Sequence, residues 1–274
     1  MTVSRKSSRS GFDRVMIAGV ALAFFVLLLP LASVIWVSFF ENKIISFPPK
    51  GYTFAWYANA WDMPRFRQGF MTSVQVGAIA TAISLLVGVP AALYLARSDF
   101  RGREAIQTVL LGPLIVPGIV SGTALFMFLI EFEIISGLQL AQTFAGLCIA
   151  HSLIALPWTV RLVTASLVGM NRQVEEAALT MGARPLTVFW RITLPAIRPG
   201  IVAGGLFAFV ISFVDLEKSL FLVGPGSTTL PIAIVNYLEW SIDPTIAAVA
   251  TVQIATIGLV MILTNRFFKL TRAF

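Results

Sequence analysis

The chain has 274 residues, of which 57% are hydrophobic and 12% charged, and its mean hydropathy is +0.87. That excludes an ordinary soluble domain, in which about a quarter of the residues are charged. A net charge of +7 would point a soluble protein towards nucleic acid, but here the basic residues are gathered between long apolar runs, which replaces a nucleic-acid partner with a lipid bilayer.

Arg5, Lys6, Arg9 and Arg14 lead into an uncharged run over residues 15–40. The run is too long for a secretory signal core and passes into Trp36-Val37-Ser38-Phe39-Phe40 without a small-residue cleavage site, so it is expected to stay as a first span behind a tail of residues 1–14. Residues 41–69 carry Pro48-Pro49-Lys50-Gly51 and then Tyr52, Phe54, Trp56, Tyr57 and Trp61. Amphipathic rings collect at the membrane interface, which predicts a short surface helix beginning near Thr53 and ending before Pro64.

A second uncharged run covers residues 70–96, and the short basic loop Arg97-Ser-Asp-Phe-Arg-Gly-Arg-Glu104 closes a simple hairpin. The third span is expected over residues 105–130. Within it, Gly112-Pro113 and Pro117-Gly118 remove backbone donors and side chains, so the helix is either kinked for packing or broken along a solute path, with Pro113 and Pro117 as candidate wall residues. The fourth span, residues 138–160, contains Cys148, which cannot form an internal disulfide, and His151, read as an interhelical hydrogen-bonding residue. The fifth and sixth spans are placed at residues 200–222 and 246–265, before a tail of residues 269–274. Strand-type alternation is absent, so the fold class is an all-α membrane protein with six transmembrane helices in one domain over residues 15–268.

Placing the N-terminus inside leaves only Lys43, Lys50, Arg65, Arg67 and Lys218 of the twenty basic residues outside. Both termini are therefore expected to be cytoplasmic. So is the loop over residues 161–198, which is too long for a hairpin. In it Val174, Ala177, Ala178 and Met181 recur at helical spacing, Glu175 and Glu176 lie near the helix start, and Gly182 is placed to end the helix. Pro185 is placed to begin a second helix with Leu186, Phe189 and Trp190 on one face, and Pro195 and Pro199 to punctuate the return to the membrane. An apolar face held at the surface must be covered by headgroups, by the chain's own spans or by a partner; spacing leaves all three open.

Between Arg198 and Asp215 the fifth span is uncharged for only about 24 Å at 1.5 Å per residue, short of a hydrocarbon core of about 30 Å. Asp215 therefore lies at a depth where an ionised group faces a cavity or a partner charge. Asp215 and Glu217, with Ser212, are candidate solute-pathway residues for a cationic or amine-bearing solute, or else Lys218 neutralises one of the carboxylates locally. The segment from Gly224 to Asp243 is expected at the outer mouth.

The residues Glu176-Ala177-Ala178, then Gly182, then Ile192-Thr193-Leu194-Pro195 resemble the EAA signature of permease subunits of binding-protein-dependent ABC importers. Ser212-Phe213-Val214-Asp215-Leu216-Glu217, Gly224-Pro225-Gly226 and Thr228-Thr229-Leu230-Pro231 are similar to the second permease of the spermidine/putrescine type, with departures at Val214 and Lys218. The resemblance implies a type I importer permease with a coupling loop whose functional residues are Glu176, Ala177, Ala178, Gly182, Ile192, Leu194 and Pro195. It further implies two ATP-binding subunits, a second permease that is a paralogue, an extracytoplasmic solute-binding protein, a bacterial inner-membrane location, and a polyamine or other small amine-bearing solute. No phosphate-cradling loop, catalytic triad or metal cluster is found, so no catalytic, cofactor-binding or metal residue is assigned and the chain is expected not to be an enzyme. The alternative is a self-contained carrier or channel not coupled to an ATPase.

Overall fold

Apolar runs that enter lipid must satisfy every backbone N–H and C=O within their own segment, and a helix does so. In a computed structural model, which describes residues 11–268, the chain is accordingly helical, and the only β-type pairing among the described residues is one antiparallel bridge between Phe40 and Tyr52. Six helical segments are long and apolar enough to cross a membrane. The expected tails fall outside the described residues over 1–10 and 269–274. The chain divides into two compact units, residues 11–60 with 241–254 and residues 61–240 with 255–268.

The first unit holds α1 (Gly11–Val37) and all but the last two residues of α2 (Ala55–Asp62). No part of the apolar stretch of α1 is buried, as expected of a helix that meets lipid on its whole circumference. The segment between the helices is tied by hydrogen bonds that suit an interface: Trp56 Nε1 donates to the Phe40 carbonyl at 2.6 Å, and the hydroxyls of Ser38 and Tyr57 meet at 2.7 Å. Asn59 Nδ2 donates to Thr245 Oγ1 at 2.9 Å. The expected surface helix is α2, at nearly the anticipated bounds.

The second unit is built on α3 (Pro64–Arg97), α6 (Phe144–Val168) and α9 (Leu194–Val214). The buried positions of α3 include Gly69, Ser73, Gly77, Ala80, Ser84, Gly88 and Ala92, a stripe of small residues that lets neighbouring backbones approach. A Cβ at Gly204 would lie 3.2 Å from Thr159 Cα, and one at Gly200 would lie 2.8 Å from the Leu162 carbonyl oxygen and closer still to the Ser166 side chain. Thr159 also donates to Ser84 Oγ at 3.2 Å inside the contact.

Three span boundaries differ from those read in the sequence. The third run is not one kinked span over residues 105–130 but two helices, α4 (Arg103–Ile115) and α5 (Gly118–Ser136), and only α5 is long enough to cross. The cause is Pro117, which forces Val116 into an extended conformation (φ −73°, ψ 131°) and ends α4. The fourth helix begins at Phe144, where Thr143 Oγ1 accepts the Gly146 N–H at 3.1 Å, and carries Arg161 inside it rather than ending before it.

The fifth segment is helical from Pro185 through α8 (Pro185–Val188), a π-helical turn at Phe189–Thr193 and α9, ending at Val214 rather than near 222. Pro195 and Pro199 therefore lie within the continuous segment instead of punctuating it. The π turn widens the ladder, with Leu194 N–H reaching back to the Phe189 carbonyl, and so absorbs the donor missing at Pro195. Past Val214 come α10 (Ser219–Leu222) and α11 (Leu230–Leu238), and the last helix is α12 (Thr245–Phe268), which agrees with the sixth run.

Replacing Gly200 with alanine pushes α6 and α9 apart at a cost of about 1–3 kcal/mol. Thermal unfolding of the detergent-solubilised protein is expected to fall by about 2–4 °C per kcal/mol. Gly258→Ala, whose Cβ would meet nothing within 4 Å, does not lower the midpoint and raises it slightly, since alanine is the better helix former, and equal midpoints for both variants would refute the close-approach account.

Candidate functional site

The loop between α6 and α9 is ordered by local chemistry. Asn171 Oδ1 accepts the Gln173 N–H at 3.0 Å, opening α7 (Gln173–Thr180) with Glu175 and Glu176 in its first turn, where carboxylates oppose the helix dipole. Gly182 ends the turn at φ +87°, a left-handed conformation that costs most side chains energy. Ala183 N–H bonds back to the Ala178 carbonyl at 3.0 Å and Pro185 then opens α8. A Cβ at position 182 would meet nothing, so conformation and not space calls for glycine.

The face of α7 turned to its own chain is narrow: Glu175 and Ala178, one turn apart, are the buried residues. Glu175 Oε1 pairs with Arg97 Nη2 from the last turn of α3 and accepts a hydrogen bond from Thr193 Oγ1 in the π turn. Its side chain is 7% exposed. One buried carboxylate thereby fastens the loop helix to both α3 and the entry to α9. Sequence reading assigned no such role to Glu175, Arg97 or Thr193. The available signal was the adjacent pair Glu175-Glu176: neighbours on a helix point about 100° apart, so one of the two must turn towards the bundle, where it needs a cation.

The other face is uncovered. Val174, Leu179, Met181, Leu186 and Trp190 are exposed, Met181 at 83%. Glu176 points outward and pairs at 3.3 Å with Arg172 one turn back. Ala177 and Gly182 are exposed beside it, while Ala178 packs inward. Ile192 and Leu194 are half-buried in the returning segment and Pro195 is exposed. The seven signature residues are thus divided between the outward face of the loop and the segment that carries it back to α9.

The candidate pathway residues do not form one group. Asp215 Oδ2 accepts the Lys218 and Ser219 N–H groups at 3.0 and 3.2 Å, and Lys218 Nζ stands 3.8 Å from Oδ1, both side chains being 9% exposed. Ser212 Oγ meets His151 Nδ1 at 2.8 Å, and His151 Nε2 meets Ser219 Oγ at 3.1 Å. Asp215, Lys218, Ser212, His151 and Ser219 therefore make one buried network that closes the end of α9 on α6. Glu217 is separate: it is exposed, and its carboxylate occupies the space that a side chain at Gly118 would take, at the start of α5. Pro117 is exposed immediately before that point, whereas Pro113 is half-buried in α4. Among the described residues no group of three or more His, Cys, Asp and Glu side chains could hold a metal ion.

The family model of the binding-protein-dependent transport system inner membrane component matches residues 84–271. The chain is 29% identical over 240 residues to the putrescine transport system permease protein PotI of Escherichia coli, covering 87% of this chain and 85% of that one. It is 32% identical over 220 residues to the molybdenum transport system permease protein ModB of Mycobacterium tuberculosis, covering 74% and 83%. Its fold is similar to that of a bacterial ABC transporter involved in the import of the acidic polysaccharide alginate, with TM-score 0.70, 15% identity and coverage of 97% and 100%.

Arg97→Ala leaves a buried carboxylate short of its cation, at about 1–3 kcal/mol. Amide exchange over residues 173–183 is expected to accelerate by about tenfold, the equivalent of ~1.4 kcal/mol, with Arg97→Lys recovering most of the protection. Identical exchange in all three proteins would show that the pair does not hold the loop.

Proposed function

The chain belongs to the family of binding-protein-dependent transport system inner membrane components, and on that premise we propose that it is driven, through the α7–α8 turn, by separate ATP-hydrolysing subunits. The observation that carries this reading is the combination of an uncovered apolar face, Val174, Met181, Leu186 and Trp190, with a rigid tie of the same turn to two spans through Glu175. A helix resting on headgroups needs the first feature but not the second; a lever needs both. Displacement of the docking face reaches α3 through Arg97 and α9 through Thr193.

In this reading the loop and both termini are cytoplasmic, as the excess of arginine and lysine on that side favours. Two ATP-binding subunits engage this chain and a second permease, a paralogue, which completes the solute path. The pair alternates between inward- and outward-open states, and an extracytoplasmic binding protein delivers the solute. The membrane is a bacterial inner membrane. The chain hydrolyses nothing itself.

We assign the solute to small amine-bearing compounds such as polyamines. The likeness to PotI supports that class, and of the two carboxylates just after α9, Asp215 and Glu217, it is Glu217 that is left exposed. Asp215, committed to two backbone N–H groups and Lys218, is placed as the structural stop of the fifth span.

Two experiments test the assignment. In the importer purified with its natural partners, Gly182→Pro and Glu176→Lys are expected to lose ATPase co-purification or to cut solute-stimulated ATP hydrolysis at least about tenfold, ~1.4 kcal/mol of coupling, with helical content unchanged. Normal coupling in both would leave the carrier or channel reading standing. In reconstituted vesicles, Glu217→Gln is expected to raise the half-saturating putrescine concentration several-fold at unaltered stability. Asp215→Asn should instead lower the unfolding midpoint, and the reverse pattern would exchange the two roles.

A further inference from the structure

Arg65 sits where two general rules disfavour a cation. It occupies the first turn of α3, directly after Pro64, with no acidic residue in that turn, so it faces the positive end of the helix dipole. It also lies at the end of α3 opposite Arg97, about 48 Å away at 1.5 Å per residue, and so on the extracytoplasmic side, where basic residues are depleted. Among the described residues no carboxylate forms an ion pair with it. Its guanidinium instead lies over the Tyr237 ring, 5.8 Å from the centroid.

The same arginine lines a cavity of about 200 Å³ with Gln68, Gly226, Thr228, Ala233 and Asn236. The two helices that wall it, α3 and α11, are packed closely beside it. Leu230 N–H donates to Ser73 Oγ at 2.9 Å, a Cβ at Gly69 would lie 3.2 Å from Leu230 Cα, and Phe66 and Tyr237 pack with ring centroids 5.2 Å apart. Ligand pockets for small molecules span about 300–1,000 Å³; this one is smaller, and its lining of one cation, two amides and a hydroxyl matches a single anionic side chain.

We propose that this cavity, between the first turn of α3 and the outer surface of α11, receives a glutamate or aspartate side chain of the extracytoplasmic solute-binding protein, with Arg65 as its counter-ion. The inference rests on the importer reading above and supplies a contact point for it. A planar guanidinium steadied on an aromatic face is pre-organised for a carboxylate fork, and Gln68 and Asn236 furnish further N–H donors to the same anion. A solute amine is repelled by the same charge. Arg67, two residues on and therefore on another face of the helix, does not line the cavity.

The test uses the complete importer in nanodiscs of neutral phosphatidylcholine and the binding protein encoded beside it, purified with its bound solute. The half-saturating concentration of binding protein for stimulation of ATP hydrolysis is measured for the wild type, Arg65→Gln, Arg65→Glu and Arg67→Glu. Arg65→Glu is expected to raise it at least about tenfold and Arg65→Gln less, with Arg67→Glu within about twofold of wild type. A Glu→Lys or Asp→Lys change on the binding protein should restore the Arg65→Glu variant. Equal effects of Arg65→Glu and Arg67→Glu would reduce the contact to diffuse charge, and an effect that appears only after anionic lipid is added would assign the cavity to a headgroup; either overturns the proposal. Stimulation of the wild type with no response to Arg65→Glu refutes this contact alone, whereas no stimulation of the wild type removes the importer reading together with it.

Discussion

Helices in lipid gain little from hiding apolar surface, because the solvent is as apolar as they are, so association depends on how closely their backbones approach. The second unit of this protein meets that constraint at a few Cβ-free positions. Gly200 and Gly204 on α9 lie against Leu162, Ser166 and Thr159 of α6, and Gly88 of α3 lies against the same Thr159. Three helices thus converge on one threonine whose hydroxyl is itself satisfied by Ser84. The remaining elements of that unit are placed by reference to this three-helix contact.

Polar groups secure both ends of α9. Where α9 begins, Glu175 joins Arg97 and Thr193; where it ends, Asp215, Lys218, Ser212, His151 and Ser219 share one network. Removing charge from water is costly, and a buried ion pair recovers that cost only when its remaining lone pairs and protons are also satisfied. Both sites meet the condition through backbone N–H groups or hydroxyls. Their position at the ends of one helix means that α9 is held in register against α3 and α6.

Helical periodicity and charge placement were legible throughout. The uncharged runs gave the number of crossing helices, the aromatic segment gave α2, and the spacing from Glu176 to Pro195 gave the loop with its glycine turn. What was not legible was the effect of each proline. Pro117 breaks a helix because Val116 before it is pushed out of the α region. Pro195 does not, because the π turn upstream shifts the ladder by one residue. Two prolines therefore have opposite consequences, decided for Pro195 by a hydrogen-bond ladder that is shifted before the proline is reached.

From residue order alone come membrane residence, the helical class, the loop and its likeness to importer permeases, since these depend on local hydrophobicity and on spacing along one chain. Only tertiary structure decided which of two adjacent glutamates faces inward, that Asp215 is held by Lys218 and backbone amides while Glu217 stays exposed, and that Arg65 stands over Tyr237 at the rim of a small polar cavity. For Glu175 and Arg65 the reason is that their partners, Arg97 with Thr193 and Tyr237, are brought to them from remote parts of the chain, and that pairing has no counterpart in the local pattern of the sequence. The partners of Asp215 lie three and four residues on, so Lys218 was already one of two outcomes legible in the sequence, and the chain's turn after α9 decided between them.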